Sequence, residues 1–160
     1  MIRSRVVLAV LVALSLARCG GDETPSSGRT TPPIPTPSVS ALDGTITVTF
    51  TREELRTAGV SDHETCENAG THEITFAVGR WTFKQTPLQE CTAVNAASGT
   101  GSFMVAGDSV AFNEPAALGC ADAYLYRFAI SGNTVTFTKV TDDCEIRRVT
   151  FTLKPWQRRA

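Results

Sequence analysis

With 160 residues and a formal net charge of −1, the chain has room for one folded domain and lacks the basic excess that a nucleic-acid surface requires. It contains no Cys-x-x-Cys pair, Gly-x-Ser-x-Gly elbow, phosphate loop or dinucleotide fingerprint, so no sequence signature of redox, acyl-transfer or nucleotide chemistry is present.

The N-terminus has the layout of an export signal. Arg3 and Arg5 precede an apolar run from Val6 to Leu16, which is too short to span a bilayer; residues 1–18 are therefore expected to be a signal peptide. Leu16-Ala17-Arg18-Cys19 resembles the bacterial lipobox, which implies that Cys19 is diacylated on sulfur and becomes the first residue of the mature chain. Ser15-Leu16-Ala17 offers an alternative site for an ordinary signal peptidase, which would release a soluble protein. The cysteine count favours the lipobox, because acylating Cys19 leaves four of the five cysteines to pair in an oxidising compartment. The expected location is extracytoplasmic, with the lipid bilayer as partner through Cys19. Removing residues 1–18 takes away Arg3, Arg5 and Arg18, so the net charge moves from −1 to −4, against a nucleic-acid partner. Residues 19–41, rich in Gly, Ser, Thr and Pro around Thr30–Pro37, predict a disordered, semi-extended tether.

From residue 42 to 158 the pattern changes to alternation at period two, the mark of strands with one buried face. Asp43-Gly44 opens a strand carrying Ile46, Val48 and Phe50. Thr51-Arg52-Glu53-Glu54 is a capping box that starts a short helix from Arg52 to Ala58, stopped by Gly59 and anchored by Leu55 at a barrel end. Two hairpins follow: Ile74, Phe76 and Val78 with Trp81 and Phe83, then Phe103 and Val105 with Val110 and Phe112. The stretch Tyr124–Leu153 supplies three further runs, on Tyr124, Tyr126, Phe128 and Ile130, on Val135 and Phe137, and on Val149, Phe151 and Leu153. The eight phenylalanines fall one to each run. The expected fold is all-β, an eight-stranded antiparallel up-and-down barrel with one short capping helix after the first strand; a two-sheet sandwich is the alternative.

In an antiparallel hairpin, facing residues lie equally far from the turn. Cys66 and Cys91 are equidistant from Val78-Gly79, and Cys120 and Cys144 from Gly132. Of the three possible connectivities, the sequence favours Cys66–Cys91 and Cys120–Cys144, each stapling the open end of its hairpin and closing a loop worth about 3 kcal/mol.

Catalytic signals are weak. His63 and His72 lie among Asp62, Glu64, Glu67 and Glu73, but without metal-binding spacing, and a polar loop explains them; no metal or cofactor is expected. Asp142-Asp143 and Glu53-Glu54 are neighbours, which point to opposite faces of a strand, and a solvated turn and a helix start account for them. Arg147, Arg148, Arg158 and Arg159 are expected on a solvated barrel rim. No catalytic constellation emerges, and the chain is not expected to be an enzyme. The interior holds the candidate ligand contacts Trp81, Phe103, Tyr124 and Tyr126, large residues whose polar tips, on Trp and Tyr, want partners when buried.

From Asp43 to Arg158 the chain resembles a set of calycin-like lipoproteins from actinobacteria. The matching residues are Asp43-Gly44-Thr45, Thr51–Leu55, Gly79-x-Trp81, Gly107-Asp108-Ser109-Val110, Tyr124, Ser131-Gly132-Asn133, Asp142–Cys144, Arg147 and Pro155-Trp156. The wider lipocalin-like superfamily places Gly-x-Trp on its first strand and an arginine over the indole on its last; here Gly79-Arg80-Trp81 falls on the third strand and Arg147 or Arg148 on the last. The resemblance implies a lipocalin-like barrel that binds small apolar molecules. The alternative is a packed barrel serving as an interaction module, adaptor or inhibitor, for an envelope protein.

Overall fold

The computed structural model describes residues 39–91, 96–113, 120 and 123–159; the signal segment, Cys19 and nearly all of the tether lie outside them. The folded region starts at a tight turn in which Asp43 accepts from the Ser40 N–H and Leu42 is buried. The strands are β1 (Gly44–Phe50), β2 (Gly70–Ala77), β3 (Arg80–Pro87), β4 (Ser98–Ala106), β5 (Ser109–Asn113), β6 (Ala123–Ser131), β7 (Thr134–Thr141) and β8 (Trp156–Arg158), with helices α1 (Arg52–Thr57) and α2 (Asp62–Asn68) between β1 and β2 and α3 (Glu145–Thr152) between β7 and β8. Each strand pairs antiparallel with its sequence neighbours, and β8 pairs back onto β1, so the barrel is closed. Through β8, closure covers the edges of β1 and β7 at two residue pairs each.

Tight turns cluster at one end. Ala77 pairs with Arg80, leaving Val78 and Gly79 as a two-residue loop with φ of 47° and 76°. Positive φ at both positions is the type I′ pattern that matches strand twist, and glycine takes it without cost whereas Val78 does not. The connections that carry α1, α2 and α3 lie at the opposite end.

The capping box forms as the sequence predicts. Thr51 Oγ1 accepts from Glu54 N–H at 3.1 Å, and Glu54 Oε2 accepts from Thr51 N–H at 2.8 Å. Leu55 is fully buried in the core, and Lys154 Nζ reaches Glu54 Oε1 at 2.6 Å. The expectation of a single helix is corrected, however. Ser61 caps α2 by accepting from Glu64 N–H, a second Ser-x-x-Glu start inside the stretch expected as a polar loop.

The third helix replaces the expected eighth strand on Val149, Phe151 and Leu153. Ile146, Val149, Thr150 and Leu153 recur at i, i+3, i+4 and i+7, a helical face that the alternation of 149, 151 and 153 masks. The hydroxyls of Thr150 and Thr152 donate back to the carbonyls of Ile146 and Arg148, so these β-branched residues satisfy themselves within the helix. Three residues of β8 then close the barrel, Trp156 against Val135 and Gln157 against Thr134 and Thr47.

Seven phenylalanines lie on β1 to β7 and the eighth, Phe151, on α3. Phe151 makes ring contacts with Phe112, Tyr126, Phe137 and Trp156 at centroid distances of 5.3, 4.9, 5.1 and 5.9 Å. It thereby supplies from a helix the apolar bulk expected of an eighth strand. Both disulfides join the expected partners, Cys66–Cys91 and Cys120–Cys144, with Cα separations of 5.5 and 5.3 Å. They do not join strand to strand: Cys66 lies on α2 and Cys144 is the N-cap of α3, so each bridge ties a helix to a neighbouring connection.

Candidate functional site

The interior splits in two. Towards the tight turns it is filled by aromatic rings, including Phe76 against Phe103 at 5.0 Å. At the helical end it opens into a cavity of about 260 Å³. Ile74 on β2, Trp81 and Phe83 on β3, Gly99 on β4, Phe112 on β5, Tyr124 on β6 and Phe151 on α3 form much of its apolar wall, and the polar side chains of His72, Gln85 and Arg147 and the Cys120–Cys144 bridge also line it.

The space exists because β4 enters the barrel on glycines. Trp81 pairs with Gly101 and Phe83 with Gly99, and the Trp81 indole lies across them with its Nε1–H donating to Ser102 O at 3.2 Å. A Cβ on Gly101 would come within 2.6 Å of the indole and 2.2 Å of Asn113 O, whereas one on Gly99 would meet only the indole edge at 3.8 Å. Gly101 therefore accommodates the ring, and Gly99 leaves room beside it.

Of the four ligand contacts expected from the sequence, Trp81 and Tyr124 line the cavity. Phe103 and Tyr126 do not, and belong to the packed half. Tyr126 is fully buried and its hydroxyl donates to Asp142 Oδ2 at 2.5 Å.

Asp142 is the centre of the polar structure, not part of a solvated turn. Its side chain is inaccessible and accepts from Arg147 Nε at 2.9 Å, Arg147 Nη2 at 2.8 Å, Cys144 N–H at 3.0 Å and the Tyr126 hydroxyl. Burial alone would raise the carboxyl, but the bonds from Arg147, Tyr126 and the Cys144 amide outweigh it and hold Asp142 below its ordinary value. Burial, followed by the same carboxylate, pushes the Tyr126 phenol well above its own. At neutral pH the group is thus a carboxylate, a guanidinium and a neutral phenol.

Arg147 is correspondingly not on a solvated rim. Its guanidinium carbon lies 3.7 Å from the centroid of the Tyr124 ring, and Tyr124 stacks on Phe112 at 5.0 Å. The arginine-over-indole arrangement of the lipocalin pattern is not made here: Arg147 is on a helix and covers a tyrosine. The other three arginines disperse. Arg148 pairs with Glu145, Arg158 donates to the Ala41 and Asp43 carbonyls, and Arg159 pairs with Glu73.

The two histidines separate in the same way. His63 is largely exposed on α2 beside Glu67, whereas His72 is 2% exposed inside the barrel. Its Nε2 lies 2.8 Å from Asn68 O, and the adjacent Gln85 donates from Nε2 to Glu67 O at 2.6 Å. These carbonyls end α2, where no following helical N–H is available to satisfy them. Gln85, Gly99 and Arg147 were not singled out as ligand contacts in the sequence; their signal was inward parity for Gln85 and a glycine on an aromatic-facing strand for Gly99.

His72 makes stability depend on pH. Burial depresses its pKa from 6.5 to about 4, with the Asn68 contact acting in the opposite sense. The folded state therefore favours the neutral ring, and the unfolded chain takes up the proton first. This contribution is complete above the unfolded value and is lost as pH falls from 6.5 towards 4. Between about pH 7 and pH 4.5 the oxidised protein should lose about 2–3 kcal/mol in urea unfolding through this group. His72→Gln, which can still donate to Asn68 O but does not titrate, should show a shallower loss; parallel profiles would refute the assignment.

Comparison with protein-family models, curated proteins and solved structures finds no match for this chain, so the geometry of the barrel and its cavity carries the functional conclusion.

Proposed function

We propose that the chain is an exported lipoprotein, anchored through acylated Cys19, whose lipocalin-like barrel binds a small hydrophobic molecule at its helical end. The observation that carries the binding reading is the cavity of about 260 Å³ lined by Ile74, Trp81, Phe83, Phe112 and Phe151. An apolar void of ~150 Å³ is enough to hold benzene, so this one suits a molecule of one or two rings. The void also favours binding over the packed interaction module, which would call for an interior filled at both ends. The anchoring reading rests on the Arg3–Cys19 pattern and on the two disulfides, which fit an oxidising, extracytoplasmic compartment. Among the described residues no helix is long and apolar enough to cross a membrane.

Naphthalene added to the oxidised protein should shift the Trp81 indole N–H resonance and give a saturable binding curve. Gly99→Leu, which places a side chain where a Cβ meets only the indole edge, should weaken that binding at least tenfold while leaving the fold intact. Unchanged affinity in the variant, or no binding by the unmodified chain, would remove the cavity as the site. For the anchor, intact-mass analysis of the membrane fraction of producing cells should find a chain beginning at Cys19 and carrying a diacylglyceryl group. A soluble chain beginning at Arg18 would show cleavage after Ala17 instead.

A further inference from the structure

Two buried side chains beside the cavity are held in one orientation by the same helix end. Gln85 and His72 face each other across the β2–β3 pair and are 3% and 2% exposed. Gln85 Nε2 contacts Glu67 O and His72 Nε2 contacts Asn68 O, at 2.6 and 2.8 Å. A carbonyl oxygen only accepts. The amide must therefore present its NH₂ to Glu67, and the neutral imidazole must carry its proton on Nε2.

The opposite atoms are then fixed as acceptors. No described residue donates to Gln85 Oε1, which keeps some accessible surface, whereas His72 Nδ1 is fully enclosed and unpartnered. Both side chains line the cavity. Of the other polar side chains there, Arg147 is engaged by Asp142, the Trp81 N–H by Ser102 O, Asn68 by Glu64 O and Thr150 by Ile146 O, while Ser98 is exposed to solvent. Gln85 Oε1 is thus an acceptor in an apolar wall with no protein donor, and a bound molecule carrying a donor completes it.

From this juxtaposition we infer that the cavity selects a neutral apolar molecule of one or two rings bearing a hydrogen-bond donor, a phenolic O–H or a ring N–H, which donates to Gln85 Oε1. The inference rests on the binding reading above and narrows it from any hydrophobic molecule to donor-bearing ones. His72 Nδ1 is fully enclosed, so His72 contributes no second contact; through Asn68 it makes the same link to α2.

Calorimetric titration of the oxidised protein with 2-naphthol and 2-methylnaphthalene tests it, because the two probes share a ring system and differ at one donor. The naphthol should bind about tenfold or more tighter, and Gln85→Met should bring the ratio of the two affinities close to one. Equal affinities in the unmodified protein would overturn the donor rule and leave cavity binding standing. A preference retained in Gln85→Met would overturn the role of Gln85. Should that variant not fold, the ratio in the unmodified protein still decides the donor rule. Absence of binding by both probes, and by naphthalene, would overturn the binding reading as well.

Discussion

The arrangement of this barrel depends on one buried carboxylate. Asp142 takes the Tyr126 hydroxyl from β6, the Cys144 amide at the start of α3 and a two-point contact from Arg147 within α3. A carboxylate removed from water to this degree persists only with such a full set of donors. By collecting them, Asp142 fixes how α3 enters the barrel. That entry sets Phe151 among Phe112, Tyr126, Phe137 and Trp156, and it places Ile146, Arg147 and Thr150 as one wall of the cavity. The packed half and the open half are consequences of the same contact.

What remained open is bounded by backbone and rings on one side and by a satisfied helix end on the other. Gly101 lets the Trp81 indole lie against β4, and Gly99 contributes no side chain beyond it. Across the space, Gln85 and His72 use their donors on α2, which is itself tied down by Cys66–Cys91. The polar character of the cavity is thus inherited from helix capping: the carbonyls of Glu67 and Asn68 consume the available N–H groups and leave acceptors behind.

Much of the barrel was legible because period-two alternation and two-residue turns are local signals. The pairing of β2 with β3 about Val78-Gly79 brings the two chain ends together at Gly70 and Pro87, and α2 and the segment after β3 carry Cys66 and Cys91 from there to the bridge. Cys120–Cys144 follows from the same rule although a bulge between Leu125 and Tyr126 shifts the register before it. α3 was not legible as a helix because Val149, Phe151 and Leu153 satisfy alternation while Ile146, Val149, Thr150 and Leu153 satisfy a helical face, and only tertiary packing through Asp142 and Phe151 decides between them. Half of the site was visible for the same reason. Trp81 and Tyr124 follow from parity, but nothing local distinguishes Tyr126, which turns to a carboxylate, from Tyr124, which faces the cavity. The burial of Asp142 and Arg147 is likewise a long-range outcome that a run of charges near a turn does not announce.

The most direct test of this account is amide hydrogen exchange in Asp142→Asn compared with the unmodified chain. Replacing the carboxylate removes the charge that Arg147 Nε and Nη2, the Cys144 N–H and the Tyr126 hydroxyl all donate to, so α3 should open locally. The amides of Val149 to Leu153 are predicted to lose about a hundredfold in protection, while those of the β2–β3 hairpin keep theirs. Protection that is unchanged in α3, or that falls equally in the hairpin, would contradict the claim that Asp142 holds α3 in the barrel.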